Sequence, residues 1–415
     1  MPKINGQRLI DDLRALARFG AYKTGVHRPT FSPPDIEARR WLKERFAEAG
    51  LEASIDGVGN VFGRPTTAGP KLLIGSHSES QNHAGWLDGA LGVVYGLEVA
   101  RAFREDTAAA RFPVEVASWA DEEGHFGFFL GSRSFIGDVA EDEIDRARDQ
   151  NDGTPLRTAL ERAGLAGRPR DVIVASDYIG YLEAHIEQGD TLDDRNLRLG
   201  IVTGIVGIWQ YRLRFAGEQN HAGTTRMAKR KDAGVALIAL AHAIGARFTE
   251  VAGPDSVWTI GAIRLDPGQP SIVPGAAEML LQVRDVETAQ LGRFEEALQA
   301  LVAEANAAGP CRVECETAWK VEPAPMSADF QRALFAAAEA HAPGMSLAMP
   351  SGAGHDAQIL ARKLPAAMLF APSLNGVSHH WTEDTREDDI VLGCQALADA
   401  AEAIFREREA STARG

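Results

Sequence analysis

Residues 71–92 read KLLIGSHSESQNHAGWLDGALG, and the fold follows from how that run divides. Lys71–Gly75 carries Leu72, Leu73 and Ile74 in succession, the composition of a strand buried on both faces. The polar stretch after it reads as a loop, and the small residues from Gly89 onward open a helix expected over 89–104. A second buried strand follows at Val114–Trp119 (VEVASW). Strand, loop, helix and strand in that order predict a parallel or mixed sheet covered by helices. The functional side chains of such sheets collect beyond the carboxyl ends of the strands. His77 and the pair Glu122/Glu123 fall just past two of those ends.

Upstream, residues 33–50 (PPDIEARRWLKERFAEAG) predict a helix. Pro33 and Pro34 suit its first turn, Ile36, Trp41, Leu42 and Phe46 fall at helical spacing, and Gly50 can end it. Residues 58–62 read as a further strand. Downstream, residues 207–319 have a rhythm of their own: strand 208–216, helix 229–246, strands 256–265 and 277–285, helix 287–307, strand 310–317. That is a βαββαβ unit of the ferredoxin-like kind. From 327 to 407 helix and strand alternate again, with a strand near 366–371 and a helix from about 388 to 406. The expected fold class is therefore α/β: a mixed-sheet domain in two parts, 1–206 and 323–415, interrupted by an inserted domain at 207–322.

Composition narrows the function. The chain has 415 residues, net charge −15 and 45% hydrophobic residues, enough to bury a core without disulfides. An acidic balance with no Lys/Arg-rich run argues against nucleic acid or an anionic membrane as partner. Cys311, Cys315 and Cys394 make no disulfide framework, and Cys311/Cys315 lack the second pair a zinc ribbon needs. The N-terminus has no apolar signal-like core, so a cytoplasmic enzyme is expected. Four of its histidine-bearing segments also carry carboxylates: residues 75–92 (His77, Glu79, His83, Asp88), WADEEGHFG at 119–127 (Glu122, Glu123, His125), EAHIEQG at 183–189 (His185, Glu187, Gln188) and NGVSHHWTEDT at 375–385 (His379, His380). Each is weak alone. Together they supply imidazole ligands, a carboxylate that can bridge two ions and a spare carboxylate to deprotonate water, the needs of a two-metal hydrolase.

Here the sequence resembles a known family. GSH followed by DGALGV (88–93), DEEG (121–124), HIEQG (185–189), SGAGHDA (351–357) and VSH (377–379) look like the M20 metallopeptidases. The match is closest to their hydantoinase/carbamoylase branch: N-carbamoyl-L-amino-acid hydrolases, β-ureidopropionases and allantoate amidohydrolases. It runs from about residue 70 to 385 in the expected order. The resemblance implies two divalent ions per subunit (Zn, Mn, Co or Ni). His77 and His185 would hold one, Glu123 and His379 the other, and Asp88 would bridge them. It makes Glu122 the general base and suggests a cis peptide at Asp88–Gly89. It also implies that the inserted domain is a lid through which the chain forms a homodimer. From that domain His221, in GEQNHAGTT, would reach a substrate across the dimer and stabilise the oxyanion, and Arg284, in LQVRD, would clamp a substrate carboxylate. Gln188 would contact the substrate's polar end.

Blander readings stand for other residues. His27, His242 and His341 lie outside any motif and are expected to be surface or hydrogen-bonded residues rather than ligands, while His83 and His125 are assigned to the pocket wall. Asp121 reads as a solvated loop charge and Glu187 as a surface carboxylate. His355 and Asp356 either start a helix or line the site, and His380 competes with His379 as ligand. Three departures from the family pattern fall near the substrate. Glu79 replaces the usual Asp that orients His77, Ser271 replaces a carboxylate-contacting Asn, and His125-Phe126 follow EEG where an Arg is usual. The expected activity is metal-dependent hydrolysis of a linear amide or ureido C–N bond in a small carboxylate-bearing substrate, with an N-carbamoyl amino acid or related ureide favoured. An N-acyl-amino-acid hydrolase or dipeptidase is the alternative within the family, and an inactive binding protein on the same scaffold the alternative outside it.

Overall fold

The computed structural model describes residues 1–412. Contacts within the chain divide it into two compact units, Met1–Thr203 with the chain from Pro325 onward, and Gly204–Ala324. The sequence reading placed those boundaries at 206/207 and 322/323.

The first unit is a mixed α/β fold on a nine-stranded sheet. Its centre is parallel: Ala366–Ala371, Tyr178–Ile186, Lys71–His77 and Val114–Trp119 lie side by side in that order. Antiparallel strands flank it, with Val61–Arg64 and Glu52–Ile55 on one side and Leu199–Ile205 on the other. The strand Lys71–His77 runs two residues past its expected end, so that His77 is its last residue. Tyr178–Ile186 was not expected as a strand, because Glu183 and His185 interrupt its apolar run. All nine of its residues are nevertheless buried, since helices cover both faces of a parallel sheet.

The helix Ala90–Glu105 packs on this sheet and buries nearly every residue. Two glycines allow it to approach. A Cβ on Gly92 would lie 2.3 Å from the Ala184 carbonyl oxygen of the strand that bears His185. Gly89, at φ +65°, begins the helix, and a Cβ there would lie 2.4 Å from the His77 ring. The cis peptide expected at Asp88–Gly89 is absent; the positive φ of Gly89 makes that turn, and the cis bond among the described residues is Asp266–Pro267.

The second unit is a four-stranded antiparallel sheet in the order Val257–Asp266, Ala276–Asp285, Gly207–Ala216, Arg312–Val321, with the helices Ala233–Val251 and Thr288–Ala308 packed against it. Strand alternation decides which residues face the helices: Ala277, Met279, Leu281 and Val283 are buried and their neighbours are not. The first helix starts at 233 rather than 229 because the Asp232 carboxylate accepts the Gly234 and Val235 N–H groups as its cap. It is long and apolar enough to cross a membrane by length and composition, and it packs Leu237, Leu240, Ile244 and Phe248 into the unit's core. There Phe248 and Phe294 meet edge to face, with centroids 4.8 Å apart. Replacing Phe294 with Ala should cost about 3–5 kcal/mol of stability, read as an earlier urea midpoint for this unit. A loss under 1 kcal/mol would place the unit's cohesion elsewhere.

Candidate metal centre

Sheet register delivers the first two imidazoles. His77 ends one parallel strand and His185 is the penultimate residue of the next, and their ring centroids lie 5.8 Å apart. Asp88 precedes the Gly89 turn into the covering helix. Glu122 and Glu123 stand in the loop after Val114–Trp119, and His379 in the loop after Ala366–Ala371. All therefore gather at one edge of the sheet, where parallel strands end.

Asp88 is the hub. Its Oδ1 lies 3.1 Å from His185 Nε2 and 3.6 Å from His77 Nε2. Its Oδ2 lies 3.3 Å from His379 Nε2, which is 3.8 Å from Glu123 Oε2. One oxygen thus faces the triad with His77 and His185, and the other faces the triad with Glu123 and His379; within each triad the donor atoms lie within 4.8 Å of one another. Glu122 Oε2 stands 3.7 Å from His77 Nε2, outside both triads. The surroundings aim these groups. His77 Nδ1 donates to the Glu79 main-chain oxygen (3.1 Å) and His185 Nδ1 to that of Ile186 (2.9 Å), which turns each Nε2 toward Asp88. Gln81 holds Glu123 through its main-chain and side-chain nitrogens, at 3.2 and 3.0 Å. Glu383 accepts the Asp88 N–H at 3.1 Å.

The donor set fits divalent cations. Asp88, Glu122 and Glu123 are buried together, and among the described residues no Lys or Arg pairs with them. Burial, then repulsion from Glu123, Asp356 and Asp88, pushes the Glu122 carboxyl well above its ordinary value. Burial and the Asp88 charge likewise raise Glu123. Burial opposes a charge on His185, yet the Asp88 hydrogen bond and charge outweigh it and raise that imidazole to about 9. The Asp88 hydrogen bond raises His379 to about 9 as well. Imidazole and carboxylate in this arrangement suit Zn, Mn, Co or Ni.

The other expected site residues fall as follows. Gln188, at φ +59°, donates from Nε2 to Asp88 Oδ2 at 3.1 Å and stands 3.3 Å from His379 Nε2. The His355 ring lies 4.6 Å from His185, and its Nε2 meets Ser351 Oγ at 3.0 Å; it also occupies the N-cap position of the helix Asp356–Leu360. His380 turns to Thr382 Oγ1 (2.7 Å), leaving His379 at Asp88. His221, Ser271 and Arg284 belong to the second unit. His221 and Ser271 are exposed there, brought close because Asn220–His221 pairs with Ile272–Val273. Arg284 is half-buried and donates to Gln282 Oε1 at 2.9 Å.

Several expectations are corrected. The Glu79 carboxylate does not orient His77, from which it stands 3.8 Å away; its longer side chain reaches the Glu122 N–H at 2.7 Å and Arg39 Nη2 at 3.0 Å. Asp121 is fully buried, not solvated. It accepts the N–H groups of His125, Phe126 and Gly127 and the Thr30 hydroxyl, which shapes the loop bearing Glu122 and Glu123. Glu187 is no free surface carboxylate, for it accepts the Thr191 and Leu192 N–H groups at 2.8 Å. Three supporting residues were not singled out from sequence: Gln81, Glu383 and Glu183. Glu183 is buried and accepts from Ser76 Oγ and the Ala357 N–H, each at 2.7 Å. The available signal for Glu183 and Glu383 was a carboxylate inside a motif already rich in ligands.

The model for peptidase family M20/M25/M40 matches residues 72–403. The allantoate amidohydrolase of Bacillus subtilis (strain 168) is 34% identical over 94% of this chain and 96% of its own length. The N-carbamoyl-L-amino-acid amidohydrolase of Paenarthrobacter aurescens is 31% identical over 98% of this chain and 100% of its own. A crystal structure of an amidase of the hydantoinase/carbamoylase family from Burkholderia phymatum superposes with a TM-score of 0.88, at 50% identity, covering 98% of this chain and 99% of that one.

Protons and cations compete for this centre. With His185 and His379 raised to about 9 in the metal-free protein, divalent-ion binding at pH 7 should release protons and tighten as pH rises toward 9. Calorimetry in buffers of different ionisation enthalpy checks this, and affinity unchanged between pH 6.5 and 8.5 would contradict it.

Proposed function

The chain belongs to peptidase family M20/M25/M40, and from that premise we propose a hydrolase that releases ammonia from a ureido group, with an N-carbamoyl amino acid or related ureide as substrate. It is a metal-dependent amidohydrolase acting on C–N bonds other than peptide bonds. The observation that carries the two-ion part of the reading is Asp88, whose two oxygens face separate triads, and the similarity to allantoate and N-carbamoyl-L-amino-acid amidohydrolases supports the ureide. In this reading His77 and His185 would hold one ion and Glu123 and His379 the other, with Asp88 able to serve both. Ions held there would supply Lewis acidity, polarising the scissile carbonyl and making water more acidic.

The chain's own side chains do the rest. Glu122 is buried beside the centre yet outside both triads, and its raised carboxyl is suited to take a proton from water and return it to the leaving nitrogen. Gln188, already hydrogen-bonded to Asp88, is proposed to contact the substrate's polar end, with His355 lining the same site. His221 is proposed as the oxyanion donor. Its Nδ1 accepts the Gly223 and Thr224 N–H groups at 3.0 and 3.2 Å, so the neutral ring carries its proton on Nε2, the tautomer a donor needs. Arg284 is proposed as the clamp for the substrate carboxylate, because a guanidinium offers two parallel donors; Ser271, next to the His221 ribbon at the other end of the strand Ala276–Asp285, is proposed to contact the substrate from the second copy together with His221.

Homodimerisation through the second unit is part of this proposal. Val235 and Ile238 on its first helix, and Ile263 and Leu265 on its edge strand, are large apolar side chains left exposed. An unpaired strand edge flanked by such residues is suited to pair with a second copy.

Two measurements test the reading. Glu122→Gln should lower kcat by about 10²–10⁴-fold while two ions per chain remain by elemental analysis. Near-normal turnover would remove Glu122 as base. Ammonia release from N-carbamoyl-L-amino acids, allantoate and N-acyl amino acids identifies the substrate class, and acid release from the acyl compounds with no ammonia from any ureide would overturn it. Separately, Ile263→Glu should shift sedimentation from dimer to monomer, and a parent protein that sediments as a monomer would refute the dimer.

A further inference from the structure

Glu79 is fully buried and makes three attachments. Its main-chain oxygen accepts from His77 Nδ1 at 3.1 Å. Its carboxylate accepts the main-chain N–H of Glu122 through Oε1 at 2.7 Å and Arg39 Nη2 through Oε2 at 3.0 Å. Arg39 is itself immobilised, since Asp35 Oδ2 accepts from its Nε at 2.8 Å and the Gly59 carbonyl from its Nη1 at 2.7 Å. The neighbours of Glu79 are pinned too: Ser78 Oγ meets Ser118 Oγ at 2.9 Å, and the buried Arg28 donates to the Ser78 carbonyl at 2.7 Å.

One residue therefore joins the backbone behind a ligand imidazole to the backbone that bears the free carboxylate. An Asp here would be one methylene shorter and would hold its charge nearer its own backbone and His77. Glu passes that imidazole by and reaches the next loop. A backbone N–H fixed by a buried, charge-balanced acceptor cannot drift without breaking a charge-assisted hydrogen bond. The loop beyond it is locked by Asp121, so the Glu122 side chain projects from a backbone held on both sides.

We propose that Glu79 is a positioning residue for Glu122: with Arg39 as counter-charge, its carboxylate sets where the Glu122 carboxylate stands relative to His77, and metal retention does not depend on it. This rests on the reading of Glu122 as general base.

The test compares Glu79→Asp and Glu79→Gln, each in the parent and in Glu122→Gln, by steady-state kinetics on an N-carbamoyl-L-amino acid and by metal content after dialysis. Glu79→Asp, which keeps charge but loses reach, should lower kcat about 10–100-fold, with KM and metal content unchanged. Glu79→Gln keeps reach and an acceptor oxygen and should recover most of the loss. Glu79→Asp should add no further loss to Glu122→Gln, because both act on one group. Should Glu79→Asp fail to fold, Arg39→Lys, which loosens the carboxylate's second anchor, carries the same expectation. Metal loss in step with activity, or losses that multiply in the double variant, would overturn the inference. A fully active Glu122→Gln would fell the base reading and this inference together. A Glu79→Asp protein with parental kcat beside an inactive Glu122→Gln would fell the inference alone.

Discussion

A single carboxylate, buried and shared between two sets of side chains, sets the terms for the rest of the first unit. Asp88 has to sit where three strand ends converge, with each oxygen toward a different partner set. A buried anion is costly unless positive or proton-donating groups surround it. Here His185, His379, Gln188 and the Gly89 turn crowd around it, and Glu383 holds its backbone from behind. The close approach of the covering helix at Gly89 and Gly92 brings Asp88 to the sheet edge. Packing and chemistry are thus one problem at this point: the helix docks closely because the carboxylate must reach the strand ends.

Much of this was legible in the residues. Apolar runs named the strands Lys71–Gly75, Val114–Trp119 and Ala366–Ala371, because both faces of a parallel sheet are covered and its strands need not alternate. The same reasoning hid Tyr178–Ile186, where Glu183 and His185 are polar yet buried, Glu183 accepting from Ser76 and Ala357 and His185 facing Asp88. A propensity argument treats such residues as loop formers. The four long strands of the second unit were readable where exposed and covered faces alternate, as in Ala276–Asp285, whereas the two-residue strands Asn220–His221 and Ile272–Val273 are too short to show a pattern. The ligand triads lie within motifs the sequence displays, but the supporting residues do not. Nothing in Arg39, set on a helix rich in charged residues, marks it as buried, and nothing in Gln81 marks it as the holder of Glu123. Those roles depend on residues far away in the chain, which spacing cannot reveal.

The departures from the family pattern gain physical content in the same way. Glu in place of Asp at position 79 does not simply lengthen a hydrogen bond to His77. It transfers that bond to a main-chain oxygen and frees the carboxylate for another loop. At position 271 the change lies beside His221 on a short antiparallel ribbon, away from the ligand triads in sequence and in sheet. The change at 79 therefore alters which groups its side chain holds, and neither change falls on a residue of the two triads.

The order of strands has a consequence for how the protein is made. Ala366–Ala371 is an interior strand, lying between Leu199–Ile205 and Tyr178–Ile186. Roughly 180 residues separate it in the chain from the neighbour that bears His185, and at ribosomal speeds of about 5–20 residues per second that is a wait on the order of ten seconds or more. During that time the nascent sheet has an open edge beside His185, and His379 and Glu383 have not yet been synthesised. The second unit, continuous in sequence, can fold within the interval. Strand closure and the arrival of His379 beside Asp88 then come together, so the two triads are complete only after the second unit has been translated.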